Sequence, residues 1–148
     1  AELYRLLKSL IESSQSVPII APLRPSATAI VKEIALKNNI DISNFHIIPP
    51  LGFLEFSYIS AHAMGVVTDS GNVAEEATFN GVPCITLNSY TEHIETVTVG
   101  SNVLVGENPD TLSIMVKKIV NGKWKKSGIP DRWDGRSAER IVQILLEL

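Results

Sequence analysis

The chain has 148 residues, 45% of them hydrophobic, and a formal net charge of −3. That composition predicts one ordinary domain with a core large enough to need no staples, and no apolar run approaches the roughly 20 residues of a membrane-spanning helix, so no membrane partner is expected. The lone Cys84 excludes an internal disulfide framework and fits a reducing, cytoplasmic setting, while the lack of a Lys/Arg stripe beyond Lys123, Lys125 and Lys126 argues against a nucleic-acid partner.

Leu3, Leu6, Leu7, Leu10 and Ile11 open the chain on one face of a helix, at i, i+3, i+4, i+7 and i+8. No Ser, Thr, Asp or Asn cap precedes them and no initiator Met is present, so the chain is expected to be a piece of a longer protein. Val17 to Ala21 reads as a short buried strand, running into the proline-studded loop Pro22-Leu23-Arg24-Pro25. Ser26 to Asn38 is a helix with Ile30, Val31, Ile34 and Ala35 on one face, and Phe45 to Ile48 a second strand closed by Pro49-Pro50. Phe53 to His62 is a short helix, Gly65 to Thr68 a third strand, and Asn72 to Asn80 a helix that Gly81 can end in the left-handed conformation. Pro83 to Leu87 is a fourth strand, Thr91 to Val99 a short helix, Asn102 to Val105 a fifth strand, and Asp110 to Asn121 and Gly135 to Leu148 two final helices.

Short apolar strands alternating with helices predict βαβ units and a parallel sheet covered on both faces, a doubly wound α/β fold. The Gly-, Lys- and Trp-bearing stretch from Asn121 to Trp133 is the one linker-like segment, and its two tryptophans are expected to pin the last helix to something.

In open α/β sheets ligands sit outside the carboxyl ends of the strands. There the run Val66-Val67-Thr68 breaks into Asp69-Ser70-Gly71-Asn72 and leads into a helix. Two readings stand. Asp69 or Ser70 simply caps the helix; or Gly71 admits a close backbone approach, the Ser70, Gly71 and Asn72 amides and the Ser70 hydroxyl form a cup, and a helix N-terminus worth about +0.5 of an elementary charge holds an anion such as phosphate. At about 100° per residue, Val73, Ala74 and Ala77 form the buried face, so Glu75 points to solvent while Glu76 lies on the flank. From there Glu76 can turn toward a cleft and accept hydrogen bonds from a ribose diol. A phosphate cup with a sugar-reading carboxylate one turn later resembles a nucleotide site, without the P-loop lysine or a G-x-G-x-x-G.

The remaining candidates carry less. Arg24 is the only cation in the first strand-end loop and can reach a phosphate, although a surface arginine is the plainer reading. His46 lies within a strand and reads as a satisfied structural histidine; His62 ends a helix, where a cationic ring complements the dipole. The three histidines and Cys84 show no metal-ligand spacing, so no metal is expected. Ser70 is not in a G-x-S-x-G elbow, which disfavours a hydrolase nucleophile.

Taken together, TDSGNVAEEA, NGVPCITL, YTEHIETVTVGSNVLVG and DGRSAERI, in this order and spacing, resemble the C-terminal half of the non-hydrolysing UDP-N-acetylglucosamine 2-epimerases. That half reads DSGGxxEEA, a GxPxL strand, TERPE, a valine-rich VG strand and DGxAxxRI, so the resemblance covers essentially the whole chain. It implies the C-terminal, UDP-binding half of a GT-B fold of two Rossmann-like domains, with UDP in the cleft between them and relatives that are often homodimers. The family's serine and glycines on the diphosphate map to Ser70, Gly71 and Asn72, its ribose-holding glutamate to Glu76, and its uracil-side aromatic to Phe56, with Phe53 a neighbour. Three positions depart: Asn72 stands for a glycine, His93 for the arginine of TERPE, and Arg24 for the histidine of a PxHPR loop. A phosphate contact by His93 makes affinity fall as pH rises through the titration of the imidazole.

The implied reaction eliminates UDP across C1–C2 of the sugar to a glycal and adds it back with the opposite C2 configuration, using no cofactor. The acids and bases for C2 come mainly from an N-terminal domain that this chain lacks, together with the first strand of the C-terminal domain, so the chain alone is expected to be inactive. Within the same fold the alternatives are a hydrolysing epimerase or a GT-B glycosyltransferase. A non-enzymatic α/β module such as a receiver domain needs clustered acids after the first strand and a lysine after the last, and Val103-Leu104-Val105-Gly106 supplies none.

Overall fold

The computed structural model describes residues 2–148. Its first helix, α1 (Glu2–Ser13), ties the molecule together because its apolar stripe serves two cores at once. Leu7 and Ile11 pack with Ala21, Val31, Ile34 and Phe45, whereas Leu6 packs with Ile85, Val105, Leu112 and Val116, and Leu10 touches both clusters. The Ser9 hydroxyl donates to the Pro109 carbonyl (3.0 Å), and Asn44 Nδ2 to the Ser14 carbonyl (2.7 Å), so polar contacts also hold the C-terminal half of the helix and the turn that follows it.

The chain then alternates: β1 (Ile19–Pro22), α2 (Pro25–Asn38), β2 (Phe45–Ile48), α3 (Phe53–Ala61), β3 (Val66–Thr68), α4 (Gly71–Asn80), β4 (Cys84–Thr86), α5 (Ile94–Thr98), β5 (Asn102–Leu104), α6 (Pro109–Val120) and α7 (Ser137–Leu146). Every predicted element is present, with shifts at the ends that follow from the backbone. The first strand starts at Ile19, whose N–H donates to the Asn44 carbonyl (3.0 Å), because Pro18 has no N–H to offer the ladder. α2 starts on Pro25, whose fixed φ suits the first helical position. Gly81 closes α4 at φ 68°, as its sequence position predicts.

All pairings are parallel, but the sheet is not continuous. β1 pairs with β2, Ile19 opposite Phe45, and separately β3-β4-β5 pair with Val66 opposite Cys84 and Cys84 opposite Asn102. Among the described residues no ladder joins β1 to β3, which corrects the single sheet expected from the strand pattern. Burial follows: β4 is buried at all three positions, while Val66, Val67 and Thr68 of β3 are only half-buried. Burial also pushes the Cys84 thiol up to about 12, so it is an inert core group.

Two other expectations need correction. Trp124 does pin the connector, but to the sheet and not to the last helix: its Nε1–H donates to the Ser101 carbonyl (2.8 Å), and its ring packs on the second core. α7 has no buried residue, and Ile144 on its apolar stripe is 60% exposed. His46 is exposed on β2 and so is not a satisfied core histidine.

One buried group in α4 has no partner among the described residues, the Thr78 hydroxyl. Thr78→Val replaces an orphaned O–H by a methyl of similar size. It is expected to raise stability by about 1 kcal/mol, read by urea unfolding, because the desolvation cost of the hydroxyl disappears; a loss of stability would mean that the hydroxyl is hydrogen-bonded in solution.

Candidate functional site

The site is built where the parallel pairing of β3 with β4, Thr68 opposite Thr86, sets the two following loops side by side. The Thr68 hydroxyl accepts the Ser70 N–H (3.0 Å), turning the chain, and Asn88 Nδ2 donates to the Asp69 carbonyl (3.0 Å), tying the loop after β4 to this turn. Ser70 is the N-cap residue of α4, with φ −95° and ψ 126°, yet its side chain makes no capping hydrogen bond. Asp69 is exposed.

Of the two readings of the DSGN corner, the capping one is therefore not what these side chains do. The donors differ by one from those expected: the Ser70 N–H is used by Thr68, and the amides with no acceptor among the described residues are those of Gly71, Asn72 and Val73. Such unpaired donors at a helix N-terminus attract anions, and the uncommitted Ser70 hydroxyl stands beside them. Asn72 is exposed in the first turn and makes no side-chain hydrogen bond among the described residues.

His93 forms the other wall. Its N–H donates to the Thr91 hydroxyl (3.0 Å), and its carbonyl accepts the Thr96 hydroxyl (2.7 Å). Thr96 in turn accepts from Asn102 Nδ2 (3.1 Å), and Asn102 Oδ1 accepts from the Thr86 hydroxyl (2.7 Å). A buried polar chain thus runs from β4 through β5 to the loop that carries His93. The ring lies over the start of α4: a Cβ on Gly71 would stand 2.7 Å from His93 Cδ2 and 2.9 Å from Nε2. Gly71 is needed for that close approach.

His93 Nδ1 lies 2.9 Å from Glu75 Oε1. This corrects the expectation that Glu75 is a solvated charge; it is half-buried and paired. One oxygen of Glu95 joins them, the three side chains offering atoms all within 4.8 Å of one another. No spacing in the sequence announces this group, because the pairing of β3 with β4 brings it together.

Glu76 lies on the flank of α4, where the helix geometry puts it. Its Oε2 accepts the Ser57 hydroxyl of α3 over a long 3.4 Å, and it lines a shallow cavity of about 310 Å³ with Glu75, Phe79, Asn80 and Trp133. Phe56 is half-buried in α3 and Phe53 is exposed at its start. Arg24 is exposed at the N-cap of α2, its side chain making no hydrogen bond or ion pair among the described residues. His62 Nδ1 donates to the Tyr58 carbonyl (2.7 Å) and its ring stacks on Tyr58, with 4.3 Å between centroids. Gly71, Glu75 and His93 are therefore in contact, Glu76 is on the same helix, and Arg24 and Phe56 come from other elements.

The sequence pattern of the family described as UDP-N-acetylglucosamine 2-epimerase matches residues 1–146. The chain belongs to the UDP-N-acetylglucosamine 2-epimerase family. It is 42% identical over 130 residues to the UDP-N-acetylglucosamine 2-epimerase of Methanocaldococcus jannaschii, covering 86% of this chain and 34% of that protein. It is 31% identical to the UDP-2,3-diacetamido-2,3-dideoxy-D-glucuronate 2-epimerase of Pseudomonas aeruginosa, covering 96% of this chain and 40% of that one. The crystal structure of the M. jannaschii UDP-GlcNAc 2-epimerase in complex with UDP-GlcNAc and UDP superposes with a TM-score of 0.74 at 37% identity, over 99% of this chain and 41% of that one.

The chain thus spans roughly two fifths of the length of these 2-epimerases. Its α/β layers are those of the C-terminal half of their GT-B fold. None of the described helices is long and apolar enough to cross a membrane.

Proposed function

We propose that this chain is the nucleotide-binding half of a UDP-N-acetylglucosamine 2-epimerase, acting on a UDP-sugar in the cytoplasm. The observation that carries the reading is the mouth of α4. The Gly71, Asn72 and Val73 amides and the Ser70 hydroxyl have no hydrogen-bond partner there among the described residues, and Glu76 stands about one turn along. In this reading the diphosphate sits on the Gly71, Asn72 and Val73 amides and the Ser70 hydroxyl, with His93 and Arg24 as the cationic side chains within reach of its oxygens. Glu76 holds the ribose diol, and Phe56 flanks the uracil.

These residues have one demanding task. Removal of the C2 proton and rupture of the C1–O bond release UDP, which then returns as the nucleophile while a proton is delivered to C2 from the opposite face. UDP is leaving group and reactant in one turnover, so it must be held through the glycal stage. Donors aimed at its phosphate oxygens stabilise the charge that develops when the C1–O bond breaks. The groups that move the C2 proton belong, in this proposal, to a preceding domain of the parent protein, which forms a homodimer.

The divided sheet supports a missing strand. A strand leading into α1 and crossing over right-handedly to β1 lies beside β1, and filling the place between β1 and β3 gives the order β2-β1-new-β3-β4-β5, that of a doubly wound sheet.

Titration of the chain with UDP, UMP and ADP, followed by amide NMR, tests the reading. UDP is expected to shift Gly71, Asn72 and Glu76 more strongly than UMP or ADP at equal concentration; an equal response to all three, or none, overturns it. Glu76→Ala is expected to weaken UDP binding about tenfold through loss of charge-assisted hydrogen bonds to the diol. Unchanged affinity would remove Glu76 from the site.

A further inference from the structure

A carboxylate can only accept, so the 2.9 Å contact between His93 Nδ1 and Glu75 Oε1 places a proton on Nδ1. Nε2 is then left with a lone pair in the neutral ring, and it becomes a donor only in the imidazolium. The Nε2–Cδ2 edge lies over Gly71, at the amides that open α4. The ring is therefore oriented by its far nitrogen, and the nitrogen facing the anion cup changes from acceptor to donor by taking up one proton.

Resting on the UDP reading above, we propose that Glu75 is a positioning residue that aims His93 Nε2 into the cup, so that binding of a nucleoside diphosphate is coupled to uptake of a proton by His93. Without an anion, the Nε2 lone pair faces the positive end of α4, where a lone pair is well placed. With a diphosphate in the cup, the same lone pair faces phosphate oxygens and is repelled. Protonation converts that repulsion into a charge-assisted hydrogen bond, while Glu75 keeps the other nitrogen engaged in both states. The charged groups facing the ring are Glu75 from α4 and Glu95 from α5, both carboxylates, with the α4 amides opposite. The backbone beneath the ring is fixed by the Thr96 hydroxyl on the His93 carbonyl, so the side chain alone decides the aim.

An arginine at this position would stay charged throughout and bind with no proton exchange. A histidine held by a glutamate makes retention of the diphosphate depend on the protonation of one ring nitrogen, which bears directly on a reaction whose leaving group must stay bound.

The test uses calorimetry of the full 148-residue chain with UDP at pH 7.5, in buffers of different ionisation enthalpy. The wild type is expected to show a buffer-dependent heat reporting net proton uptake, which H93Q loses while it still binds. E75Q is expected to bind UDP about threefold more weakly, the modest value suited to a partly exposed pair, with a smaller proton uptake; E75D recovers part of both. Long-range 15N NMR of the free chain reads the ring directly, Nδ1–H in the wild type and a mixture with Nε2–H in E75Q. The proposal is overturned if H93Q and the wild type take up protons equally, if the tautomer is indifferent to E75Q, or if Zn2+ binds the free chain by displacing the Nδ1 proton at micromolar concentration. Pyrophosphate separates this proposal from the UDP reading. Proton-linked pyrophosphate binding with no gain from the uridine sinks the UDP reading and keeps the Glu75–His93 device, whereas UDP binding without proton linkage does the reverse.

Discussion

Asn102→Leu is expected to destabilise the chain by about 3 kcal/mol and to lower its midpoint of thermal unfolding by about 9 °C. Asn102 is 0% exposed, and both ends of its amide are used, by the Thr86 hydroxyl and by Thr96. Leucine fills the volume but strands the Thr86 hydroxyl in a site closed to water, and an orphaned buried polar group costs more than the hydrogen bond it once made. Scanning calorimetry reads the shift. Adding Thr86→Val to Asn102→Leu is expected to recover a good part of the loss, because both partners are then apolar. A double variant no better than the single one would place the cost in leucine's shape and not in the stranded hydroxyl. Since Thr96 also holds the His93 carbonyl, the single variant should broaden the amide NMR signals of residues 91–96 in the folded protein.

How far this arrangement is legible in the sequence depends on the distance over which each residue acts. Glu76 is readable, because its place on the flank of α4 follows from helix geometry inside one element. Gly81 is readable for the same reason, its left-handed φ being a local property of a helix end. Glu75 is not: the helix wheel points it away from the core, and only the register of β3 against β4 supplies His93 as its partner. Asn102 reads simply as the first residue of an apolar strand, yet it carries the polar chain beneath the site. The break between β1 and β3 is hidden for a related reason. Apolar runs identify strands, but which strands become neighbours depends on how helices pack against them, and α1 here lays one side on each core. Trp124 shows the limit of composition: two tryptophans in a connector signal an anchor, but not that the anchor point is the Ser101 carbonyl.

The two glycines nearest this network separate two reasons for having no side chain. At Gly71 the obstacle to a Cβ is the edge of the His93 ring, which can swing aside, so a methyl there disturbs the aim of the ring more than the fold. Gly100 has no such outlet. A Cβ there would stand 2.6 Å from the Thr96 carbonyl oxygen and 2.5 Å from Thr78 Oγ1. The Gly100 N–H is itself bound to the Glu95 carbonyl (2.9 Å), so the backbone cannot back away without giving up that bond. Gly100→Ala is therefore expected to cost about 3 kcal/mol, at the upper end of overpacking penalties, read by urea unfolding. The second variant assigns the cause. Thr78→Ala removes the Oγ1 and methyl contacts but leaves the carbonyl, so Thr78→Ala with Gly100→Ala should recover less than half of the loss. Full recovery would show that α5 can yield, and that the loop bearing His93 is held less firmly than its hydrogen bonds require.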